Sequence, residues 1–594
     1  MAEQIPHWDV SNIFPALDSK EYERSVEQLA SKIGACKGLV QALDGPNKVS
    51  QCAAVINGLN DIFEHGGMIR AYLHSFTSTD TRNQMALKKN SAFEKMFVDV
   101  QNLHLHFQVW VGNQSDATLE EIILGNPTNA EHAFALRTLK EQSRFLMQPE
   151  LEELGNELAL SGANAWSKLQ STITSQLTVD FELDGKNQQL PMPALINLRS
   201  HPDGSTRKRA YEAEMKAWKT VEAPLAAALN GVKGTVNTLN ARRGRKDCLH
   251  ASIDSARISR KTLDVMIEAM ADSLPAFERY FLNKAKRIGK EKLDWWDLFA
   301  PETSTSEEFG WEQAREFILT HFGSFSGDLA GFAKRAFDSG WIDAEQRDGK
   351  QGGAFCMGVP VKKESRILCN FDGSLDQVST IAHELGHAFH NECAYKAGKT
   401  EFQQDTPMTL AETASIMCET IINEALLKNT ASDAERLAIL GGSLINSSQV
   451  IVDIYSRFLF EKDLFERRET SELSADEISD LMLNAQKAAY RNGLNNENLN
   501  KYAWTWKPHY YYAGLSFYNY PYAFGLLFAK GLYAIYQQRV EAFIPEYENL
   551  LASTGEASAE ELAMRFGIDI QTRKFWDDSL AIIKSEIDQY CKLP

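Results

Sequence analysis

Two histidines four residues apart, with a glutamate beside the first, are the part of this chain best suited to chemistry. They stand in the run Ile381-Ala382-His383-Glu384-Leu385-Gly386-His387-Ala388-Phe389-His390. On a helix, residues i and i+4 point the same way, so His383 and His387 can grip one Zn²⁺ between their imidazoles. Glu384 then lies next to that ion, where a carboxylate serves as general base toward an attacking water. His390 shares their face and reads as a packed or supporting residue rather than a ligand.

A catalytic zinc needs a third protein ligand and an open position. A histidine-rich continuation is excluded, because position 393 is Cys393. The candidates are therefore acids downstream. Pro407 marks a helix start, and Met408 to Leu427 is largely apolar with a polar stripe of Glu412, Ser415, Glu419 and Asn423. That stripe either faces water, as acids usually do, or lies inside with a cation neutralising Glu412. Further on, Pro508-His509 is followed by a tyrosine cluster. Six tyrosines fall within the thirteen residues from Tyr510 to Tyr522. Neutral O–H and N–H donors suit the oxyanion of a tetrahedral intermediate, although aromatic packing explains any single tyrosine equally well.

The elements that must position these groups are legible around them. Ser374 with Gln377 three residues on forms a capping box after Gly373. From there Leu375, Val378, Ala382, Leu385 and Phe389 make an apolar stripe of helical period, with Asp376, His383 and His387 on the other face. Gly386 inside that helix calls for a packing or functional reason, since a mid-helix glycine costs about 1 kcal/mol against alanine. Ahead of the helix, residues 349–371 are glycine-rich and then β-like, and an exposed strand edge there would pair with an extended peptide through its main chain.

Elsewhere helices dominate. Tyr22, Val26, Leu29 and Ile33 make one stripe, and Val55, Leu59, Ile62 and Phe63 another. Pro127 and Pro149 punctuate a helical stretch over 115–175. The period then switches to two, with Leu177, Val179, Phe181 and Leu183 alternating before an Asp184-Gly185 turn. This hairpin predicts a boundary, with a helical region over 1–190 and a catalytic domain over 191–594. A long helix is expected from Ser259 to Ile288, bent near Pro275. The basic patch Arg242 to Lys246 reads as a solvated turn.

The 594-residue chain carries a net charge of −18, which argues against nucleic acid or an anionic membrane as partner. The N-terminus shows neither a basic nor an apolar leader segment, and the eight cysteines include no C-x-x-C pair. A cytoplasmic protein with reduced thiols is the expectation.

These pieces together resemble the thimet-oligopeptidase-like zinc endopeptidases, and among them the oligoendopeptidase F group. The similarity runs nearly end to end. It includes the opening Trp8-Asp9-Val10-Ser11-Asn12-Ile13-Phe14-Pro15, the stretch Trp295-Trp296-Asp297-Leu298 with Pro301, and the block from Asn370 to His390. Glu412 follows in Glu-Thr-Ala-Ser-Ile-Met-Cys-Glu, with 24 residues between it and His387. The resemblance implies one zinc per chain, held by His383, His387 and Glu412, with Glu384 as base and Glu419 orienting a ligand histidine. It also implies that His509, Tyr520 and Tyr518 stabilise the oxyanion. The implied fold is mainly α, an elongated multi-helix zincin-type body with a deep channel and a small sheet near the zinc, admitting only short unstructured peptides.

Two rivals define what must be tested. An aminopeptidase would need an acidic anchor that Gly353-Ala354-Phe355-Cys356-Met357 lacks, whereas a carboxypeptidase would need a cationic one, which composition does not exclude. A non-catalytic peptide-binding protein with a structural zinc would have no use for Glu384 and would close its metal site with four protein ligands.

Overall fold

The computed structural model describes residues 5–301, 309–430 and 432–594. Among the described residues helices predominate, and five short strands interrupt them: β1 (Thr178–Leu183), β2 (Lys186–Pro191), β3 (Ile342–Asp343), β4 (Phe355–Val359) and β5 (Glu364–Leu368). The mainly α reading with a small sheet ahead of the histidine helix holds.

Contacts group the chain into two compact units, each discontinuous in sequence. The first takes residues 1–144, 306–428 and 532–568, and the second 145–305, 429–531 and 569–594. This is not the sequential division at residue 190. The hairpin expected to end an N-terminal domain lies inside the second unit, because Phe181 of β1 packs into the same core as Trp218 and Leu229.

In the first unit, three long helices, Lys20–Gln41, Lys48–Thr79 and Gln84–Asn113, begin at Ser19, Asn47 and Asn83. Each of these side chains accepts a hydrogen bond from the backbone N–H three residues on, which satisfies a donor the helix itself leaves free. Their apolar stripes meet in a core where Leu29, Val55, Leu59, Ile62 and Phe107 are fully buried. The three-stranded sheet runs β3-β5-β4, with β3 parallel and β4 antiparallel to the central β5. β4 is thus an edge strand, and among the described residues its outer side carries no backbone partner. The N-terminal segment is fastened to this sheet. Asp9 N donates to Gly340 O at 2.7 Å, and the fully buried Arg366 of β5 donates to Asp9 O at 3.0 Å and Asn12 Oδ1 at 2.8 Å.

In the second unit, the 39-residue helix Gly204–Arg242 is the spine. Against it pack the helices Ile454–Arg468, Ala475–Tyr490 and Ala503–Trp506 and strand β1, burying Trp218 and Trp504 completely. The hairpin turn is the mirror-image kind that matches strand twist, with φ of 53° at Asp184 and 74° at Gly185. The helix Arg260–Arg287 includes Pro275, as expected, and pairs with Arg573–Lys592. The basic patch is ion-paired: Arg243 donates to both oxygens of Glu152, at 2.9 and 2.6 Å. By length and composition the run Asp433–Arg468 could cross a membrane, yet Leu444, Ile451, Phe460 and Leu464 along it are fully buried within the protein.

Candidate metal centre

The helix Leu375–Lys396 is capped by Ser374, whose Oγ accepts from Gln377 N at 3.3 Å, but Gln377 Oε1 accepts nothing in return and Ser374 N donates to Asp372 instead, so only half of the expected capping box forms. Its stripe of Val378, Ala382, Leu385 and Phe389 is buried at 0–1% exposure, which fixes the rotation of the helix and turns His383 and His387 off the core. Their ring centroids are 5.0 Å apart.

The segment carrying Glu412 departs from the continuous helix expected after Pro407. One turn, Met408–Ala411, ends at Glu412, and a second helix, Thr413–Asn429, begins directly after it. The break swings the Glu412 side chain toward the histidines. Its Oε2 lies 3.3 Å from His383 Nε2 and 3.5 Å from His387 Nε2, and Ser415 Oγ donates to the same oxygen at 2.8 Å. The polar stripe does not face bulk water. Glu419 Oε2 meets His383 Nδ1 at 3.3 Å and Asn423 Oδ1 accepts from Ser379 Oγ at 3.4 Å, so the stripe zips against the histidine helix. Gly386 is the reason the two segments can cross so closely. A Cβ at that position would stand 2.5 Å from Ser415 Cα and 2.6 Å from Ala414 O.

The donor set fits a zinc ion. Two ligand atoms each about 2.1 Å from a tetrahedral ion lie about 3.4 Å apart, and the two measured His–Glu separations bracket that value. The three ligand atoms all lie within 4.8 Å of one another. The charge balance tells the same story. Burial disfavours the charged imidazole of His383, but hydrogen bonds to Glu412 and Glu419 outweigh it and lift the group to about 10. Burial would raise Glu412, yet His383 and His387 hold it down to about 2.

Glu384 is 6% exposed, and its Oε2 has no hydrogen-bond partner. Burial pushes its carboxyl up to about 7. His390 is not part of the cluster. It is buried and bonded to Thr554 Oγ1 at 2.9 Å, so it packs as expected.

The other expected site residues belong to the second unit. His509 sits on the short 3₁₀ turn Pro508–Tyr511, with its Nδ1 buried and unpartnered. Burial, with Arg457 and Lys507 nearby, depresses its pKa, which keeps the ring neutral. Tyr518 stacks on it, centroids 4.8 Å apart and planes at 13°. Tyr520 stands differently: it is fully buried, and its hydroxyl accepts from Ser252 Oγ at 3.1 Å. Tyr518 thus lies against His509, whereas Tyr520 packs in the interior of the second unit. Phe517 directs this turn. It adopts φ 55° and is held there by its ring, buried against Phe458 and Phe465.

An oligoendopeptidase F homologue of Lactococcus lactis is 24% identical over 600 aligned positions, covering 99% of this chain and 97% of its own. Oligopeptidase PepF of Bacillus subtilis is 20% identical, covering 98% and 86%. Among solved structures, a peptidase from Chlamydophila abortus superposes with a TM-score of 0.84 at 19% identity over the whole of both chains. Oligoendopeptidase F from Enterococcus faecium gives 0.72 at 18% identity, covering 97% of this chain and 99% of its own. Residues 111–178 match the model described as Oligopeptidase F. Residues 197–582, about two thirds of the sequence, match the model of peptidase family M3, and the chain belongs to that family of metallopeptidases.

Proposed function

We propose that this protein is a zinc-dependent endopeptidase that hydrolyses internal bonds of short, unstructured peptides. The observation that carries the reading is the convergence of His383, His387 and Glu412 on one point with a buried, unpartnered Glu384 oxygen beside them. These three residues would hold the ion, leaving a coordination position for substrate or water. Bound there, zinc supplies Lewis acidity toward a peptide carbonyl and toward water.

The chain's own groups account for the remaining steps. An extended peptide can add to the free edge of β4, so that main-chain hydrogen bonds hold it without requiring a particular sequence. Glu384 takes the proton of the attacking water and returns it to the leaving amine. Glu419 fixes the ring of His383 by accepting at Nδ1. His509 and Tyr518 offer neutral donors to the oxygen on which negative charge develops, where each well-placed bond contributes about 3 kcal/mol.

The test has two parts. The purified protein should carry one zinc, and a peptide blocked at both ends should be cut internally in a chelator-sensitive way. Glu384→Gln should keep its zinc while kcat falls by about 10²–10⁴-fold. Zinc-free protein with full activity, or wild-type turnover in Glu384→Gln, would overturn the reading. Cleavage confined to peptides with a free terminus would instead favour an exopeptidase.

A further inference from the structure

A cavity of 790 Å³ in the first unit is lined by Met357 and Gly358 of the edge strand β4, by Arg70 and Phe97 of the long N-terminal helices, and by Asn391 and Tyr395 of the histidine helix. Asn391 and Tyr395 follow Glu384 at i+7 and i+11, so the cavity shares a helix face with the base. Counted along the helix axis, it lies about 10 to 16 Å from Glu384. Gly358 lets the strand and the helix approach there. A Cβ at that position would stand 2.7 Å from Tyr395 Oη and 3.5 Å from Asn391 Nδ2.

The ionisable groups around this cavity are compensated, with one exception. The Arg70 guanidinium lies 4.5 Å from the Phe97 centroid and 5.8 Å from that of Phe93, and Glu94 is the carboxylate that acts on it. Glu94 Oε1 also accepts from Asn90 Nδ2 at 2.8 Å. His74 stacks on Phe355, centroids 4.8 Å apart, and burial keeps its ring neutral. Glu401, on the same wall, has no such answer. Among the described residues its carboxylate forms no ion pair and accepts no hydrogen bond. A second cavity, of 330 Å³, shares Tyr395, Glu401 and Gln404 with the first and adds Glu64, so the charge that acts on Glu401 is another carboxylate. The cations of that second wall do not relieve it. Lys399 is taken by Glu556 at 2.6 Å, and the exposed Lys363 pairs with neither Glu64 nor Glu401. Burial and Glu64 push the Glu401 carboxyl up to about 7, as expected of an acid held against apolar walls without a cation.

We propose, on the peptidase reading above, that this cavity is a specificity pocket in which Glu401 receives a cationic group of the substrate peptide, an ammonium or a guanidinium. A peptide added to the edge of β4 sends alternate side chains to each face of the strand, and one of those faces carries Met357 over the cavity. The alkyl stem of Lys or Arg covers apolar wall such as Phe97 and Met357 while its head reaches a carboxylate. The volume falls in the range of about 300–1,000 Å³ usual for ligand pockets. At about 3.3 Å per residue of extended peptide, the cation would stand about three to five residues from the scissile bond. It can come from a basic side chain or from the peptide's own N-terminus, and one experiment separates the two.

Zinc-loaded full-length enzyme is assayed at pH 8, where Glu401 is mostly ionised. The substrates are peptides of one neutral sequence, blocked at both ends, each with a single Lys at a different position. Mass spectrometry of the products gives the bond cut. The cut should keep a fixed distance from the Lys as the Lys is moved. Replacing that Lys by norleucine should raise KM by about 10–100-fold, the worth of a charge-assisted hydrogen bond, with kcat nearly unchanged. Glu401→Gln should abolish both the fixed distance and the KM difference while cutting the norleucine peptide with wild-type constants. A norleucine peptide with a free amine, cut at a fixed distance from that amine by wild type and not by Glu401→Gln, would assign the pocket to the N-terminal ammonium. Cuts that ignore both the Lys and the amine, or a preference that survives in Glu401→Gln, would overturn the proposal. Melting curves check that the variant folds, and should it not, the wild-type scan decides alone, since the position of the cut needs no variant. If wild type cuts none of the peptides, the peptidase reading itself has failed, a different result from cuts placed without regard to charge.

Discussion

His383 Nδ1 lies 3.3 Å from Glu419 Oε2 while its Nε2 lies 3.3 Å from Glu412 Oε2, so one imidazole is clamped between two carboxylates of the neighbouring segment. The outer carboxylate sets which nitrogen is free to bind a metal and makes it more basic. Glu419→Ala should weaken zinc affinity by about 10–100-fold, read by competition with a coloured chelator. Glu419→Gln, which keeps an acceptor oxygen, should lose less. Unchanged affinity in the alanine variant would leave the contact without a role at the metal.

Gly386 permits the crossing that brings Glu412 and Glu419 to the histidines. The atoms a Cβ would strike, Ser415 Cα and Ala414 O, are backbone and have no rotamer with which to yield. Gly386→Ala should therefore part the two segments, at a cost of about 2–3 kcal/mol of stability, even though alanine is the better helix former. Zinc content after dialysis should fall along with the melting temperature. A fully loaded, equally stable variant would contradict the close crossing.

The histidine helix was legible because three signals agree on it: the Ser374 cap, the 3.6-residue apolar stripe and the i, i+4 histidines. The hairpin was legible for the same kind of reason, since alternation and an Asp-Gly turn specify one local geometry. What the sequence hid was non-local. Periodicity over 408–427 suggests a single helix and says nothing of the break at Glu412, which is set by the partner helix across Gly386. The split into two units also escaped, because a boundary read from one hairpin cannot register that distant stretches of chain return to the same core. Tyr518 and Tyr520 differ by two residues in a tyrosine-rich run. Their surroundings are separated by the positive φ of Phe517, the stack of Tyr518 on His509 and the bond of Tyr520 to Ser252.

That separation is testable. Tyr518→Phe removes a hydroxyl stacked beside His509 and should lower kcat by about 10²–10³-fold with little change in KM, the signature of an oxyanion donor. Tyr520→Phe removes a hydroxyl bonded to Ser252, which should cost about 1 kcal/mol of stability and reduce kcat less. Steady-state kinetics of the two variants side by side would decide. A larger kcat loss in Tyr520→Phe would return the role to that residue.

Lys233 and Glu461 form an ion pair at 2.6 Å that is 0% and 1% exposed. Removing one partner leaves the other charged in a place without water, so Lys233→Met alone should cost about 3–5 kcal/mol. Replacing both, with Lys233→Met and Glu461→Leu, should recover most of that loss, because the desolvation penalty goes with the charges. Denaturant melts of the three variants form a double-mutant cycle. A double variant no better than the single would show that the pair is held by more than its own charges.

Glu401 gives the pH dependence of the first unit a definite direction. It lines a cavity of 790 Å³ together with Arg70, His74 and Tyr395, and burial, helped by Glu64, pushes its carboxyl from 4.5 up to about 7. Because the folded-state value is raised, the native protein holds this proton more tightly than the unfolded chain does. Its contribution to stability is full below about pH 4.5 and is lost as pH rises through about 7, a change of about 2–3 kcal/mol after allowance for partial exposure. Glu401→Gln keeps the shape and abolishes the titration. The variant should match wild type near pH 4.5 and melt at a higher temperature at pH 8, where wild-type Glu401 is forced to ionise in a poorly hydrated place. Identical melting curves at both pH values would mean that the carboxylate finds compensation on ionising, for instance by turning out of the cavity.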